Sequence, residues 1–303
     1  MIGRIPITIL SGYLGAGKTT MINRVLSGDP GRRVAVLVND FGAVNIDASL
    51  IATQEDDRIS LTNGCVCCSI GDDLGAALDD QAARADPPEH ILLEASGVAE
   101  PKRVAMHAGY WPGFTLDALI VVVDAETIRA RAKDKFVGKL IRSQIAAAEI
   151  IALTKTDLIG PDMAQSVIGF LRGIAPDVRV IEAPNGSMPN DLIFGSTGVF
   201  RAPFQTGDDT DHAALHTVTW IPQQAVSQRK LDQALKSSPT FIHRAKGFFV
   251  DADTDRMMLL QAVGARFSFD AAPADMAPAI VMIGTGAPAD MSAEMDRIRQ
   301  AVG

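Results

Sequence analysis

Along the first 183 residues the apolar side chains come in short unbroken blocks rather than alternating with polar ones. Ile5-Pro6-Ile7-Thr8-Ile9-Leu10, Val34-Ala35-Val36-Leu37-Val38, Ile91-Leu92-Leu93, Leu119-Ile120-Val121-Val122-Val123 and Ile150-Ile151-Ala152-Leu153 are each too short for a helix and rich in β-branched residues. A strand apolar on both faces has to be covered on both, which is the pattern of a parallel sheet between two layers of helices. Segments of helical spacing lie between the blocks: roughly 18 to 27, Asp72 to Ala85 with acidic residues in its first turn, Phe136 to Ala148, and about Met163 to Ile174. Short strands near Arg58 to Leu61 and Val178 to Ile181 complete the alternation. The fold class predicted is α/β, a doubly wound, mostly parallel sheet of the P-loop NTPase kind, with functional groups at the carboxyl ends of its strands.

Between about Ala183 and His212 the pattern dissolves into Pro184, Asn185, Gly186, Pro189, Gly195, Gly198, Pro203 and the acidic run Gly207-Asp208-Asp209-Thr210-Asp211. A smaller α+β segment follows, with strand-like Leu215 to Ile221, Phe241 to Val250, Leu259 to Phe269 and Ala279 to Ile283, and helices at Arg229 to Ser237 and about Ala289 to Ala301. The expected organisation is a first domain over 1–183, a linker over 184–212 and a second, smaller domain over 213–303.

The first strand runs into Gly12-Tyr13-Leu14-Gly15-Ala16-Gly17-Lys18-Thr19-Thr20, which fits G-x-x-x-x-G-K-[ST] in the strand-to-helix context that motif needs. The glycines let backbone N–H groups turn toward phosphate oxygens, and the helix N-terminus adds positive partial charge. Gly15, Ala16, Gly17, Lys18, Thr19 and Thr20 are therefore candidate nucleotide-binding residues, with Lys18 reaching the β and γ phosphates and Thr19 completing a Mg²⁺ shell. Glu94 closes a strand where a P-loop protein places the carboxylate that supports Mg²⁺ or its water. Lys18, Thr19 and Glu94 are the candidate catalytic groups. Asp40 and Asp47, after the second strand, stand in switch position. Thr154-Lys155-Thr156-Asp157 follows a later strand directly, where Asp157 can accept both the N1–H and N2–H of guanine, which adenine does not offer, and Lys155 can lay its stem along the base. GTP is favoured over ATP, although Thr154 stands where such motifs carry Asn.

Cysteine and charge narrow the class. All three cysteines, Cys65, Cys67 and Cys68, fall in Gly64-Cys65-Val66-Cys67-Cys68, a clustering that points to a shared metal ligand set and away from a disulfide framework. Three thiolates suit a soft or borderline cation, Zn²⁺, Co²⁺ or Cu⁺, and leave a coordination position open, which fits transfer better than permanent holding. The formal net charge of −8 argues against a nucleic-acid partner. No apolar run is long enough for a membrane span, and the N-terminus has no signal-peptide pattern, so a cytoplasmic protein is expected. His90, His107 and His243 stand singly and read as packed or surface residues. Trp111 and Trp220 read as packing residues. Arg244 and Lys246 read as a contact surface or a solvated basic pair.

In order, Ile5-Pro6-Ile7-Thr8, the P-loop, Val38-Asn39-Asp40-Phe41-Gly42, Gly64-Cys65-Val66-Cys67-Cys68, Glu94-Ala95-Ser96-Gly97 with Pro101, Thr154-Lys155-Thr156-Asp157 and Arg244-Ala245-Lys246-Gly247 resemble the CobW family of P-loop GTPases, proposed metal chaperones, over nearly the whole chain. The resemblance implies GTP binding and slow GTP hydrolysis with Mg²⁺, and a transition metal, zinc or cobalt, held by Cys65, Cys67 and Cys68 under nucleotide control. Its partners would be GTP and GDP, the metal ion, and a client metalloprotein or an enzyme of a metal-cofactor pathway; self-association into a homo-oligomer stays open. Where the family has Asn-Glu-Phe-Gly-Glu this chain has Asp40 and Ala43, so acidic contacts in the switch are shortened or missing. Only His212 and His216 stand where relatives carry a His-rich tract. Two competing readings remain: a P-loop enzyme such as a kinase whose cysteines staple a loop with zinc, and a nucleotide-switched interaction module.

Overall fold

A computed structural model describes residues 4–28, 32–39, 58–61, 70–195, 215–238, 241–285 and 287–302. These fall into two compact units, the first ending at Phe194 and the second beginning at Gly195.

The first unit is built on β1 (Ile5–Ser11), β2 (Val34–Asn39), β3 (Arg58–Leu61), β4 (His90–Glu94), β5 (Phe114–Asp124), β6 (Ile150–Thr154) and β7 (Arg179–Ala183). They form one sheet in the order β3-β2-β4-β1-β5-β6-β7, every pair parallel. Every residue of β4 and β6 is buried, as unbroken apolar blocks require. The helices are α1 (Lys18–Ser27), α2 (Ile70–Ala82), α3 (Pro101–Gly109), the single turn α4 (Ile128–Arg131), α5 (Gly138–Ala147), α6 (Pro161–Ile174) and the short α7 (Asn190–Phe194). One cluster joins Ile7, Ile9, Leu37, Ile91 and Leu93 of the sheet to Leu74 and Leu78 of α2 and to Val104 and Ala108 of α3. Another joins Val121, Val123, Ile151 and Leu153 to Ile141 and Ile145 of α5 and to Val167 and Leu171 of α6. Because β1 lies between β4 and β5, the carboxyl end of β1 opens at the centre of the sheet, where ligands of doubly wound folds collect.

The helix α3 has no counterpart in the apolar reading, because Pro101, Lys102 and Arg103 mask its start; the proline sits in its first turn, where a missing N–H costs nothing. The first unit also continues past residue 183, where the sequence suggested a linker. A 3₁₀ turn at Pro184–Gly186 leads to α7, whose Leu192, Ile193 and Phe194 are buried. Five residues of helix between Pro and Gly carry too little periodicity to be seen in sequence.

One polar cluster lies inside this sheet. Ile7 pairs with Leu116 but Thr8 with Ala118, so Asp117 is the extra residue of a bulge in β5. The Thr8 hydroxyl donates to the Ile193 carbonyl at 2.6 Å and lies 2.9 Å from His90 Nε2, so Nε2 carries the proton it donates to Thr8. Asp117 Oδ2 is 3.8 Å from the same nitrogen. His90 is thus a core residue tying α7 to the sheet.

The second unit is a five-stranded antiparallel sheet, β8 (Leu215–Trp220), β9 (Ile242–Val250), β10 (Met257–Val263), β11 (Arg266–Ala271) and β12 (Ala279–Thr285), in the order β11-β10-β9-β12-β8. The stretch Leu259 to Phe269 is therefore a hairpin and not one strand: it turns at Gly264, φ 59°, with Val263 paired to Arg266. Helices α8 (Gln228–Lys236) and α9 (Pro288–Val302) pack Leu231, Leu235, Met291, Met295 and Ile298 against Ala245, Phe249, Leu260 and Met282. Arg244 is buried in β9 rather than solvated, and Lys246 is half-buried. Among the described residues no helix is long and apolar enough to cross a membrane.

Asp251 joins the two layers of this unit. Its carboxylate accepts the Gln228 N–H at the start of α8 (3.0 Å), and the Thr254 N–H (3.1 Å) and hydroxyl (2.7 Å). Burial alone would raise its pKa; the Thr254 hydroxyl and the Gln228, Asp253 and Thr254 amides outweigh it and hold the carboxyl below its ordinary value. A depressed carboxylate contributes stability that is complete above the unfolded pKa, about 3.9, and is lost as pH falls through the lower folded value. Asp251→Asn is accordingly expected to lower unfolding stability at pH 7 by about 1 to 3 kcal/mol. In denaturant titrations that gap should hold to about pH 5 and narrow below about pH 4; a gap independent of pH would show that the charge contributes nothing.

Candidate functional site

At the carboxyl end of β1 the chain enters Gly12 to Gly17 with positive φ at three glycines, 134° at Gly12, 75° at Gly15 and 100° at Gly17. A Cβ at Gly12 would stand 2.2 Å from the Val122 carbonyl oxygen, so no other residue lets the loop rest on β5. The Ala16 N–H closes a turn onto the Tyr13 carbonyl, and the Met21 N–H bonds the Gly17 carbonyl, so α1 begins at Lys18 directly behind the loop. Lys18 is buried and its ammonium donates to the Gly12 carbonyl at 3.0 Å, folded over the loop it serves. The Thr19 hydroxyl donates to Glu94 Oε1 at 3.3 Å. Glu94 ends β4, and the strand after it stays against the loop: the Ala95 N–H bonds the Leu10 carbonyl, and a Cβ at Gly97 would fall 2.8 Å from the Leu14 nitrogen. The three groups read from the sequence as catalytic, Lys18, Thr19 and Glu94, are thus brought together. Ala16 is buried beneath the loop, and the exposed Thr20 sits 3.3 Å from where a Gly186 Cβ would lie.

On the other side of the crevice, β6 ends at Thr154. Its hydroxyl donates to the Ala16 carbonyl at 2.6 Å, with the Val123 carbonyl 3.1 Å away. The residue that departs from the expected Asn therefore joins the two motifs directly. Lys155 turns left-handed, φ 59°, and its ammonium lies 2.7 Å from Asp124 Oδ2. Asp157 is exposed and its Oδ1 accepts the Asn185 N–H at 3.2 Å.

Two participants were not singled out by sequence. Asp124 closes the most apolar strand and pairs in register with Thr154; a carboxylate at the carboxyl end of a buried parallel strand was the available signal. Arg131, at the end of α4, donates to the Leu14 carbonyl at 3.0 Å and lies 5.0 Å from the Tyr13 ring centroid, and nothing in its sequence context marks it.

The switch candidates Asp40 and Asp47 and the cysteines Cys65, Cys67 and Cys68 lie outside the described residues. Their flanks do not. β2 ends at Asn39 and β3 at Leu61, paired with each other, while Val38 pairs with Glu94. Among the described residues no group of three or more His, Cys, Asp or Glu is placed to hold a metal ion.

Residues 6–182 match the family model "CobW/HypB/UreG, nucleotide-binding domain", and residues 215–299 match "Cobalamin synthesis protein cobW C-terminal domain". The chain belongs to the CobW family. The residues just described, from Gly12 to Asp157, fall within the part matched to the nucleotide-binding domain. Among curated relatives, "Zinc chaperone CobW" of Sinorhizobium sp is 30% identical over 87% of this chain and 86% of its own length. "Zinc chaperone YjiA" of Escherichia coli (strain K12) is 32% identical over 88% of each. "Zinc-regulated GTPase metalloprotein activator 1" of Dictyostelium discoideum is 28% identical over 65% of this chain and 49% of its own.

The Thr154 link has a measurable weight. Thr154→Val keeps the shape and removes the hydroxyl, leaving the Ala16 carbonyl short of a donor, and is expected to lower the unfolding free energy by about 1 to 3 kcal/mol. Thermal unfolding checks this, with Thr154→Ser, which restores the donor, expected to lie closer to the wild-type chain; equal losses in both variants would deny the hydrogen bond its role.

Proposed function

We propose that this chain is a GTP-hydrolysing metallochaperone that holds a transition metal at Cys65, Cys67 and Cys68 under nucleotide control and delivers it to a client. The observation that carries the reading is the convergence of Lys18, Thr19 and Glu94 with Thr154-Lys155-Thr156-Asp157 on one crevice of a CobW-family nucleotide-binding domain. The names of the relatives, zinc chaperones and a zinc-regulated GTPase, support it.

In this reading Gly15, Ala16, Gly17, Lys18, Thr19 and Thr20 bind the triphosphate, Asp157 reads guanine and Lys155 flanks the base. The residues fit Mg²⁺: a hydroxyl and a buried carboxylate, Thr19 and Glu94, already face each other beside the loop. Bound there, Mg²⁺ would neutralise charge on the β and γ phosphates, and Thr19 would hold it with Glu94 behind. Lys18 leaves the Gly12 carbonyl for phosphate oxygens, the stronger acceptors for an ammonium. Asp40 contributes from the neighbouring switch segment. The cargo is zinc, with cobalt as the competing ion, and the setting is cytoplasmic.

The decisive test is a chelator-competition titration of Zn²⁺ and Co²⁺ onto reduced protein with Mg²⁺ and either GDP or a non-hydrolysable GTP analogue. Metal affinity is expected to rise roughly tenfold with the GTP analogue, within the usual coupling range of about 1 to 3 kcal/mol. The double variant Cys65→Ser, Cys67→Ser should lose that dependence. Equal affinity in both nucleotide states would make the thiolates a structural site and return the protein to the class of P-loop enzymes with a zinc-stapled loop.

A second expectation concerns the base. Asp157→Ala should weaken GTP binding while leaving ATP binding nearly unchanged, because only guanine offers that carboxylate its two donors. Competition against a fluorescent GDP measures both; parallel losses would remove Asp157 from base reading.

A further inference from the structure

The loop assigned to the base carries two charges that work against each other. Asp157 can discriminate for guanine only while its carboxylate is free to take the N1–H and N2–H donors, yet an ammonium stands two residues away on Lys155. In the structure that ammonium is 2.7 Å from Asp124 Oδ2, on the neighbouring strand, with the Asp124 side chain 7% exposed and that of Lys155 35% exposed. The left-handed turn at Lys155 and the register of Asp124 beside Thr154 set this pairing in the backbone.

We infer that Asp124 is a positioning residue for base recognition: it holds the Lys155 ammonium away from Asp157, so that the lysine stem serves as an apolar wall and Asp157 stays available to guanine. The inference rests on the proposed guanine site.

Asp124 also reaches the phosphate side. Its Oδ1 accepts the Glu126 N–H at 2.9 Å and the Thr127 N–H at 3.3 Å, which fixes the entry to α4, and α4 ends in Arg131 on the Leu14 carbonyl. Burial would raise the Asp124 carboxyl, but Lys155, Thr127 and Glu126 together hold it below its ordinary value, so it is ionised throughout the working pH range. Removing the carboxylate leaves Lys155 with Asp157 as the other acid of its own turn, and an ammonium there satisfies the carboxylate that should have required guanine.

The test is the ratio of GTP to ATP affinity, by displacement of fluorescent GDP. Asp124→Asn is expected to lower the GTP-over-ATP ratio about tenfold, since the discriminating acid is then partnered without a guanine. Lys155→Met in the Asp124→Asn background removes the displaced charge, keeps the apolar wall, and should restore the ratio. Asp124→Ser, which retains an acceptor for the Glu126 amide, gives the same reading if Asp124→Asn does not fold. A ratio unchanged in Asp124→Asn or Asp124→Ser, or a double variant as indiscriminate as Asp124→Asn, overturns the role of Asp124 and leaves the guanine site standing. A wild-type chain with no preference for GTP overturns both.

Discussion

Everything in the first unit answers to the contact between Gly12 and β5. The phosphate loop can turn its amides inward only if the chain leaves β1 with φ of 134° and lies directly on the Val122 carbonyl. That demand forbids a side chain at Gly12 and requires β5 to run parallel beside β1. Both strands are then buried on both faces, hence their unbroken apolar blocks. Gly97, in the turn after β4, meets the same demand, since a Cβ there would run into the Leu14 backbone.

The base side is tied to this loop at two removes. Thr154 bonds the Ala16 carbonyl directly, while Asp124 connects Lys155 through α4 to Arg131 and the Leu14 carbonyl. The first contact is buried and neutral. The second is an ion pair with a buried carboxylate and a half-exposed ammonium. Two ties of different kind share one frame, so the separation of the P-loop from the Thr154–Asp157 turn is set by β5 and β6. Thr154, standing where such motifs carry Asn, supplies a donor to the Ala16 carbonyl through its hydroxyl.

The parallel sheet, the P-loop and the grouping of Lys18, Thr19 and Glu94 were legible in the sequence because each rests on strong local patterns: β-branched blocks, obligatory glycines, carboxylates at strand ends. The hairpin within 257–271 was not, since its turn is only Gly264 and Ala265 between two strands whose apolar residues run on across it. The helix α7 hid in a Pro- and Gly-rich stretch, and what holds it in the first unit, its buried Leu192, Ile193 and Phe194, the Thr8 hydroxyl on Ile193 and Arg32 on the Phe194 carbonyl, comes from residues far away in sequence. Asp124 was visible as the end of a strand, but its work depends on the partner that β6 brings alongside. Arg244 read as part of a contact surface or of a solvated basic pair; its burial comes from tertiary packing that propensity does not register.

β2 and β3 end side by side at Asn39 and Leu61, and Val38 of β2 pairs with Glu94. Under the proposed function this adjacency binds the two ligands to one balance sheet of affinities. A nucleotide that tightens metal binding by a given factor must itself be tightened by the metal by the same factor, because the coupling is a state function. Metal loading would then select the GTP-bound form, and hydrolysis, by removing the γ phosphate, would remove the preference for both. Release of the ion needs no separate trigger: it follows from whichever contacts there differ between GTP and GDP. A slow hydrolytic step suits such a carrier, since the lifetime of the triphosphate state sets how long the metal is retained.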